Sequence, residues 1–194
     1  MEPVHRLELI NRCNCLKAKT SMGHDNISTQ LLKEYIWNTA DPLTHIFNFS
    51  FDSGIVPDKM KLAKVIPIFK SGNKNLFNNY RPISILPAYS KLLKRIVAKK
   101  LVYFLETNNV LYTHQYGFRR KHSTIYSMVH LLKYISGVND KHSKEIALGL
   151  FLDLSKAFDN ISHKTVLSKL HFDGIRGTPN DWLNSCLSDR YQYI

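Results

Sequence analysis

The nine residues from Ile146 to Leu154, IALGLFLDL, contain one charged side chain, Asp153. A run this short and this apolar predicts a strand buried on both faces, which needs neighbouring strands beside it and covering layers above and below. Helical and strand patterns alternate irregularly around it, which points to an α+β or α/β chain. Leu62–Phe69 and Tyr80–Leu86 are β-rich runs around the turn signal Ser71-Gly72-Asn73. They predict a basic hairpin with Lys70 near its tip and Pro82 on an edge strand. Pro87–Thr107 predicts the clearest helix, with Leu92, Leu93, Ile96, Val97, Leu101, Phe104 and Leu105 on one face.

Other helices follow from capping and spacing. Ser28 predicts the cap of a helix to about Asn38, and Asp41-Pro42 a cap followed by a first-turn proline. Gly54 ends that second helix. A helix from Ser123 would turn Ile125, Met128, Val129, Leu132 and Ile135 inward and close at Gly137. Further helices are expected from Ser162 to His171 and from Thr178, and Arg190–Ile194 begins a strand. Trp37 and Trp182 fall on helical stripes and are expected in the core.

Charge divides the chain unevenly. Lys59–Asn139 holds fifteen Lys/Arg and one acid, Glu106, for a local charge of +14 against +12 for all 194 residues. Such a block suggests a folded surface for a polyanion, with Tyr80, Tyr89, Tyr103, Tyr116 and Phe118 as stacking platforms. No stretch reaches the roughly 18 apolar residues of a membrane span, and the N-terminal twenty residues lack a signal-peptide block. Cys13, Cys15 and Cys186 make an odd, sparse set, which suggests a reducing compartment, nucleus or cytoplasm. The nine His have no metal-ligand or triad spacing, and no Gly-rich phosphate loop is present.

Asp153 is the candidate for chemistry. A carboxylate ending a buried strand either binds a hard cation such as magnesium or caps the next turn, and spacing alone leaves both readings open.

The segment FLDLSKAFDNISH, Phe151–His163, resembles the first palm motif of reverse transcriptases from retrotransposons without long terminal repeats. AKVIPIFKSG followed by NNYRPISIL is similar to the fingers hairpin of that family. QYGFRRKHST resembles its next segment, and WLNSCLSDRYQYI the approach to its second palm motif. The likeness spans about residues 20–194, in the family's order. It departs at His24 and Asn26, where Pro and Gly are usual, at Met60 for a common Trp, and at Lys94 for a common acid.

The resemblance implies a right-hand polymerase fold with a helical extension over 1–54, fingers over 55–140 and a partial palm over 141–194. It implies Asp153 as ligand to two magnesium ions, Lys70 and Arg81 on the nucleotide phosphates, and the backbone of Lys156 and Ala157 beside them. Phe158 would exclude a 2′-hydroxyl, and Gln115, Gly117, Phe118, Arg119, Arg120 and Lys121 would line the nucleic-acid path. Partners would be an RNA template, a DNA primer and deoxynucleoside triphosphates, with no membrane. In this family a later Asp-Asp pair completes the metal site, and no Asp-Asp occurs in this sequence. The expectation is therefore a chain cut before the second and third palm motifs and inactive alone. The alternative is a non-catalytic nucleic-acid-binding remnant.

Overall fold

A computed structural model describes residues 1–139, 146–154, 157 and 160–194. The chain runs α1 (Arg6–Asn14), α2 (Thr29–Glu34), α3 (Ile36–Ser53), β1 (Leu62–Phe69), β2 (Tyr80–Ile85), α4 (Ala88–Thr107), α5 (Thr124–Asn139), α6 (His163–Phe172), α7 (Thr178–Leu187) and β3 (Tyr191–Tyr193). It separates into two compact units, Met1–Val102 with Ile161–Ile194, and Tyr103–Asn160.

The first unit holds the core. Leu9, Ile10 and Cys13 of α1 meet Ile36, Ala40, Leu43, Phe47 and Phe51 of α3, and Leu92, Leu93, Ile96 and Val97 of α4 close the same cluster. Trp182 of α7 belongs to it and is 1% exposed. Its ring meets Phe51 edge-on, with centroids 5.9 Å apart. Its Nε1 donates to Ser50 Oγ at 2.9 Å, and that hydroxyl donates to the Ile55 carbonyl, so every polar atom of this contact has a partner. The Ser185 hydroxyl accepts from the Val56 amide at 3.0 Å one turn further along α7.

Local rules explain the element ends. Ser28 Oγ accepts from the Leu31 amide at 3.0 Å and caps α2. Gly54 ends α3 in the left-handed region at φ 68°, where a side chain would also press on Asp181 and Thr178. Asn26 sits at φ 55°, a conformation that Asn tolerates better than most residues, so it serves where the family commonly has Gly. Ser162 caps α6, which starts where the sequence places it, and Pro179 lies in the first turn of α7.

The sheet has order β2-β1-β3. β1 and β2 pair antiparallel from Lys64↔Ile85 to Phe69↔Tyr80. Pro82 lies on the edge strand as expected. β3 adds in parallel to β1, Leu62↔Tyr191 to Lys64↔Tyr193.

Several expectations fail. Ile146–Leu154 forms no strand; Leu148 is 94% exposed and Leu152 82%. A strand exists through its ladder, and among the described residues no strand pairs with this run. α5 forms, but Ile125, Met128, Val129, Leu132 and Ile135 remain 36 to 72% exposed. A periodic stripe tells which face seeks cover and not whether cover is present. Gly137 does not close α5, which continues to Asn139. Asp41-Pro42 does not start a helix: α3 begins at Ile36 and carries Pro42 inside, while Asp41 pairs with Arg6 at 3.0 Å. The preceding helix stops at Glu34, short of Asn38. Trp37 is 55% exposed, with the Arg6 guanidinium over its ring at 5.5 Å.

Ser50→Ala would leave the buried Trp182 Nε1 without an acceptor and is expected to cost about 1–3 kcal/mol in urea unfolding. In the Trp182→Phe background the same change should cost measurably less, because the donor is gone. Burial pushes the Cys13 thiol up to about 11. At pH ~8 it stays protonated, so iodoacetamide should label exposed Cys15 well before Cys13, read by peptide mass spectrometry.

Candidate nucleic-acid and nucleotide site

The hairpin presents the first pair of candidate cations. Ile68 stands directly opposite Arg81, and the Lys70 amide continues the ladder by donating to the Asn79 carbonyl at 2.8 Å. Side chains alternate along a strand, so Lys70, two residues beyond Ile68, shares the face of Arg81. Both are exposed. The ladder thus aims an ammonium and a guanidinium to one side, which suits an anion with several oxygens.

The connection from Lys70 to Asn79 is held by its own polar groups. Asn79 Nδ2 donates to the Asn73 carbonyl at 2.8 Å, the Asn75 amide to Asn73 Oδ1 at 2.9 Å, and Tyr80 Oη to the Lys74 carbonyl at 2.9 Å. Phe69 and Tyr80 meet edge-to-face at 5.5 Å on the opposite side of the strands from Arg81. Gly72 has φ 91°, and a Cβ there would lie 2.8 Å from Asn79 Nδ2. Lys70 stands where this connection begins, at the end of β1.

The second group lies in the other compact unit, on the loop before α5. The Arg119 guanidinium donates to the Tyr112 carbonyl at 3.1 Å, and Gln115 Nε2 to the Gly117 carbonyl at 3.4 Å. These bonds fold the loop so that Gln115, Gly117, Phe118, Arg120 and Lys121 are all exposed. Phe118 and Lys121 take φ 60° and 61°. Left-handed backbone at residues other than Gly stores about 1 kcal/mol or more each. Phe118 is 94% exposed, so the loop holds an aromatic ring and the two cations of Arg120 and Lys121 toward solvent.

Asp153 belongs to the same unit and lies in the exposed run that forms no strand, rather than at the end of a buried strand. Ala157 is described and exposed; Lys156, Phe158 and Asp159 lie outside the described residues. Among the described residues no group of three or more His, Cys, Asp or Glu converges as a metal set. Asp153 supplies one hard oxygen donor, which fits one magnesium ion completed by phosphate and water, and does not by itself fit two.

Sequence reasoning missed the ring cluster beside the loop. Tyr116 lies 5.5 Å from His130 and 6.0 Å from His122, and His114 is 6.1 Å from His130. The eight-residue steps from His114 to His122 to His130 match no ligand spacing, so only the loop's fold brings them together.

The profile of the family described as reverse transcriptase (RNA-dependent DNA polymerase) matches residues 68–193. The chain belongs to the reverse transcriptase family. The matched region takes in Arg81, the Gln115–Lys121 loop, the Phe151–His163 segment and β3. The chain is 32% identical, over 88% of its length, to a probable RNA-directed DNA polymerase from transposon BS of Drosophila melanogaster. It is 34% identical over 84% to one from transposon X-element, and 29% over 84% to the polymerase of mobile element jockey, both of the same fly. It covers 19%, 17% and 18% of those proteins, so it spans about a fifth of the length of the curated relatives it matches. The retrotransposon family read from the sequence motifs therefore stands, and the bare binding remnant is not favoured. Among the described residues, no helix is long and apolar enough to cross a membrane.

Gly72→Ala is expected to break the Asn79–Asn73 tie at a cost of about 1 kcal/mol or more. Hydrogen exchange at the Lys70 amide, which bonds across this turn, should then speed up at least about fivefold.

Proposed function

We propose that this chain is the fingers and first palm portion of an RNA-directed DNA polymerase, working within a longer protein of right-hand architecture. One observation carries the reading: the reverse transcriptase match runs continuously from the hairpin to β3, across every motif assigned a role above. In this reading residues 1–54 are a helical extension, 55–140 the fingers and 141–194 part of the palm, acting on nucleic acid inside the cell, in nucleus or cytoplasm.

The reaction is attack of a primer 3′-hydroxyl on the α-phosphate of a deoxynucleoside triphosphate, directed by an RNA template, with release of pyrophosphate. Lys70 and Arg81 bind the triphosphate oxygens and hold the nucleotide against the hairpin. Their shared face supports this role, since a fixed pair of cations spreads over a polyphosphate better than either alone. Gln115, Gly117, Phe118, Arg119, Arg120 and Lys121 track the nucleic-acid strand by stacking and charge. Phe158 bars a 2′-hydroxyl by bulk, and the backbone at Lys156 and Ala157 lies along the phosphates. Asp153 is the proposed magnesium donor. The ion, when bound, neutralises charge on the phosphates, and a second carboxylate set from beyond these residues completes the pair.

The test is a chimera in which this chain replaces the corresponding fifth of the transposon BS polymerase. Primer extension on RNA is expected, and Asp153→Asn should lower it by about 10²-fold or more. Lys70→Ala or Arg81→Ala should raise the KM for the nucleotide by about tenfold, with kcat changed less. Extension that survives Asp153→Asn would overturn the assignment. The isolated chain should give no extension yet bind single-stranded RNA, with affinity falling steeply as salt rises.

A further inference from the structure

The loop that the family reading places on nucleic acid carries a second feature that the reaction does not use. A cavity of about 380 Å³ opens between the loop and the start of α5, lined by Thr113, His114, Tyr116, Lys121, His122, Tyr126 and His130. Three imidazoles and two phenol rings thus share this lining with one ammonium. Among the described lining residues there is no carboxylate, and Lys121 is the only permanent charge. His114 and His130 are exposed and His122 half-buried, so solvent and ligands reach all three.

The hydrogen bonds show where protons can be gained. The Arg120 carbonyl can only accept, so His122 Nδ1 donates to it at 3.0 Å, and in the neutral ring Nε2 is then the acceptor nitrogen. His114 Nδ1 bonds the Thr113 hydroxyl at 3.1 Å, a partner able to donate or accept. Both of these rings can therefore take up a proton without losing their anchors. Histidine is the side chain that changes charge between about pH 5 and 8. Protonation raises this cavity from one positive charge toward four, with no acid among the described lining residues to neutralise it. Cations held this close repel one another unless an anion enters. The ring faces of Tyr116 and Tyr126 suit a nucleobase next to that anion.

We propose that this cavity is a proton-gated subsite for a phosphodiester of single-stranded RNA, tightening its hold as the pH falls through the imidazole range. The proposal rests on the reading of the Gln115–Lys121 loop as a nucleic-acid surface. Linkage makes the effect reciprocal: bound RNA must raise the proton affinity of the same rings.

The experiment measures binding of a fluorescein-labelled single-stranded RNA of mixed sequence to the full chain by anisotropy. Ionic strength is fixed near 0.1 M, and EDTA is present to remove metal bridging. Affinity is expected to rise at least about tenfold between pH ~7.8 and ~5.8. In the variant His114→Gln/His122→Gln/His130→Gln the rise should shrink below about twofold. His5→Gln/His45→Gln/His171→Gln, outside the cavity, should keep the full rise. Circular dichroism at each pH confirms folding. A second measurement needs no variant: on adding RNA, the proton NMR titration midpoints of three of the nine histidines should move upward. A pH rise that survives the cavity variant, or midpoints unmoved by RNA, would overturn the proposal. RNA binding that is equally strong at both pH values overturns the proton gate and leaves the nucleic-acid surface standing. Absence of RNA binding at every pH overturns that surface as well.

Discussion

The buried contact between Trp182 and Ser50 joins residues 132 apart in the chain. An indole in an apolar core brings a donor that must be satisfied, and Ser50 supplies the acceptor from α3 while passing its own proton to the Ile55 carbonyl. That small relay fixes how α7 lies on α3. Its position then sets where the chain emerges at β3, three residues after α7, and β3 in turn lies beside β1, the strand that ends at Lys70. The placement of a surface cation on the hairpin therefore depends on an interior hydrogen bond made by a residue more than a hundred positions later. Truncating a Trp at such a site costs about 3–5 kcal/mol in well-packed cores, a large part of a domain's whole stability.

Electrostatics imposes a second constraint. Fifteen cations and one acid between Lys59 and Asn139 cannot pair with one another, and the described ion pairs lie at Arg6–Asp41 and Lys61–Asp58. Most of the block therefore faces water as unneutralised charge, a cost that a bound polyanion removes. Lys94 shows the strain. Burial, with Arg190 adding repulsion, lowers its pKa, at a position where an acid is common in the family. The chain tolerates a repulsion there that an acid would turn into attraction.

What the sequence told correctly was local or matched by motif. Ser28 and Gly54 do what capping chemistry predicts because each acts within one turn of itself. Pro82 is on the edge because it has no amide to give. The stripe Leu92, Leu93, Ile96 and Val97 is buried because α4 meets the core it was patterned for. The failures concern partners. Ile146–Leu154 and α5 have the right patterns for burial, yet a pattern records a demand for cover and the described residues do not meet it. Pro42 was misread as a start because Tyr35 breaks the chain sooner and sets the beginning of α3. The histidine cavity was illegible because its members are related only through a loop whose backbone turns left-handed at Phe118 and Lys121.

The parallel pairing of β3 with β1 has a consequence for how the protein is made. Leu62 leaves the ribosome long before Tyr191, and the Val56–Ser185 bond likewise spans 129 positions. At translation rates of about 5–20 residues per second, the hairpin, complete at Ile85, waits roughly 5 to 21 s for its third strand. During that interval the outer edge of β1 is open, along with the surface of α3 that will receive the indole. The nascent chain is thus most exposed to wrong pairing while it is still tethered, and a pause in synthesis before α7 would lengthen that window in direct proportion.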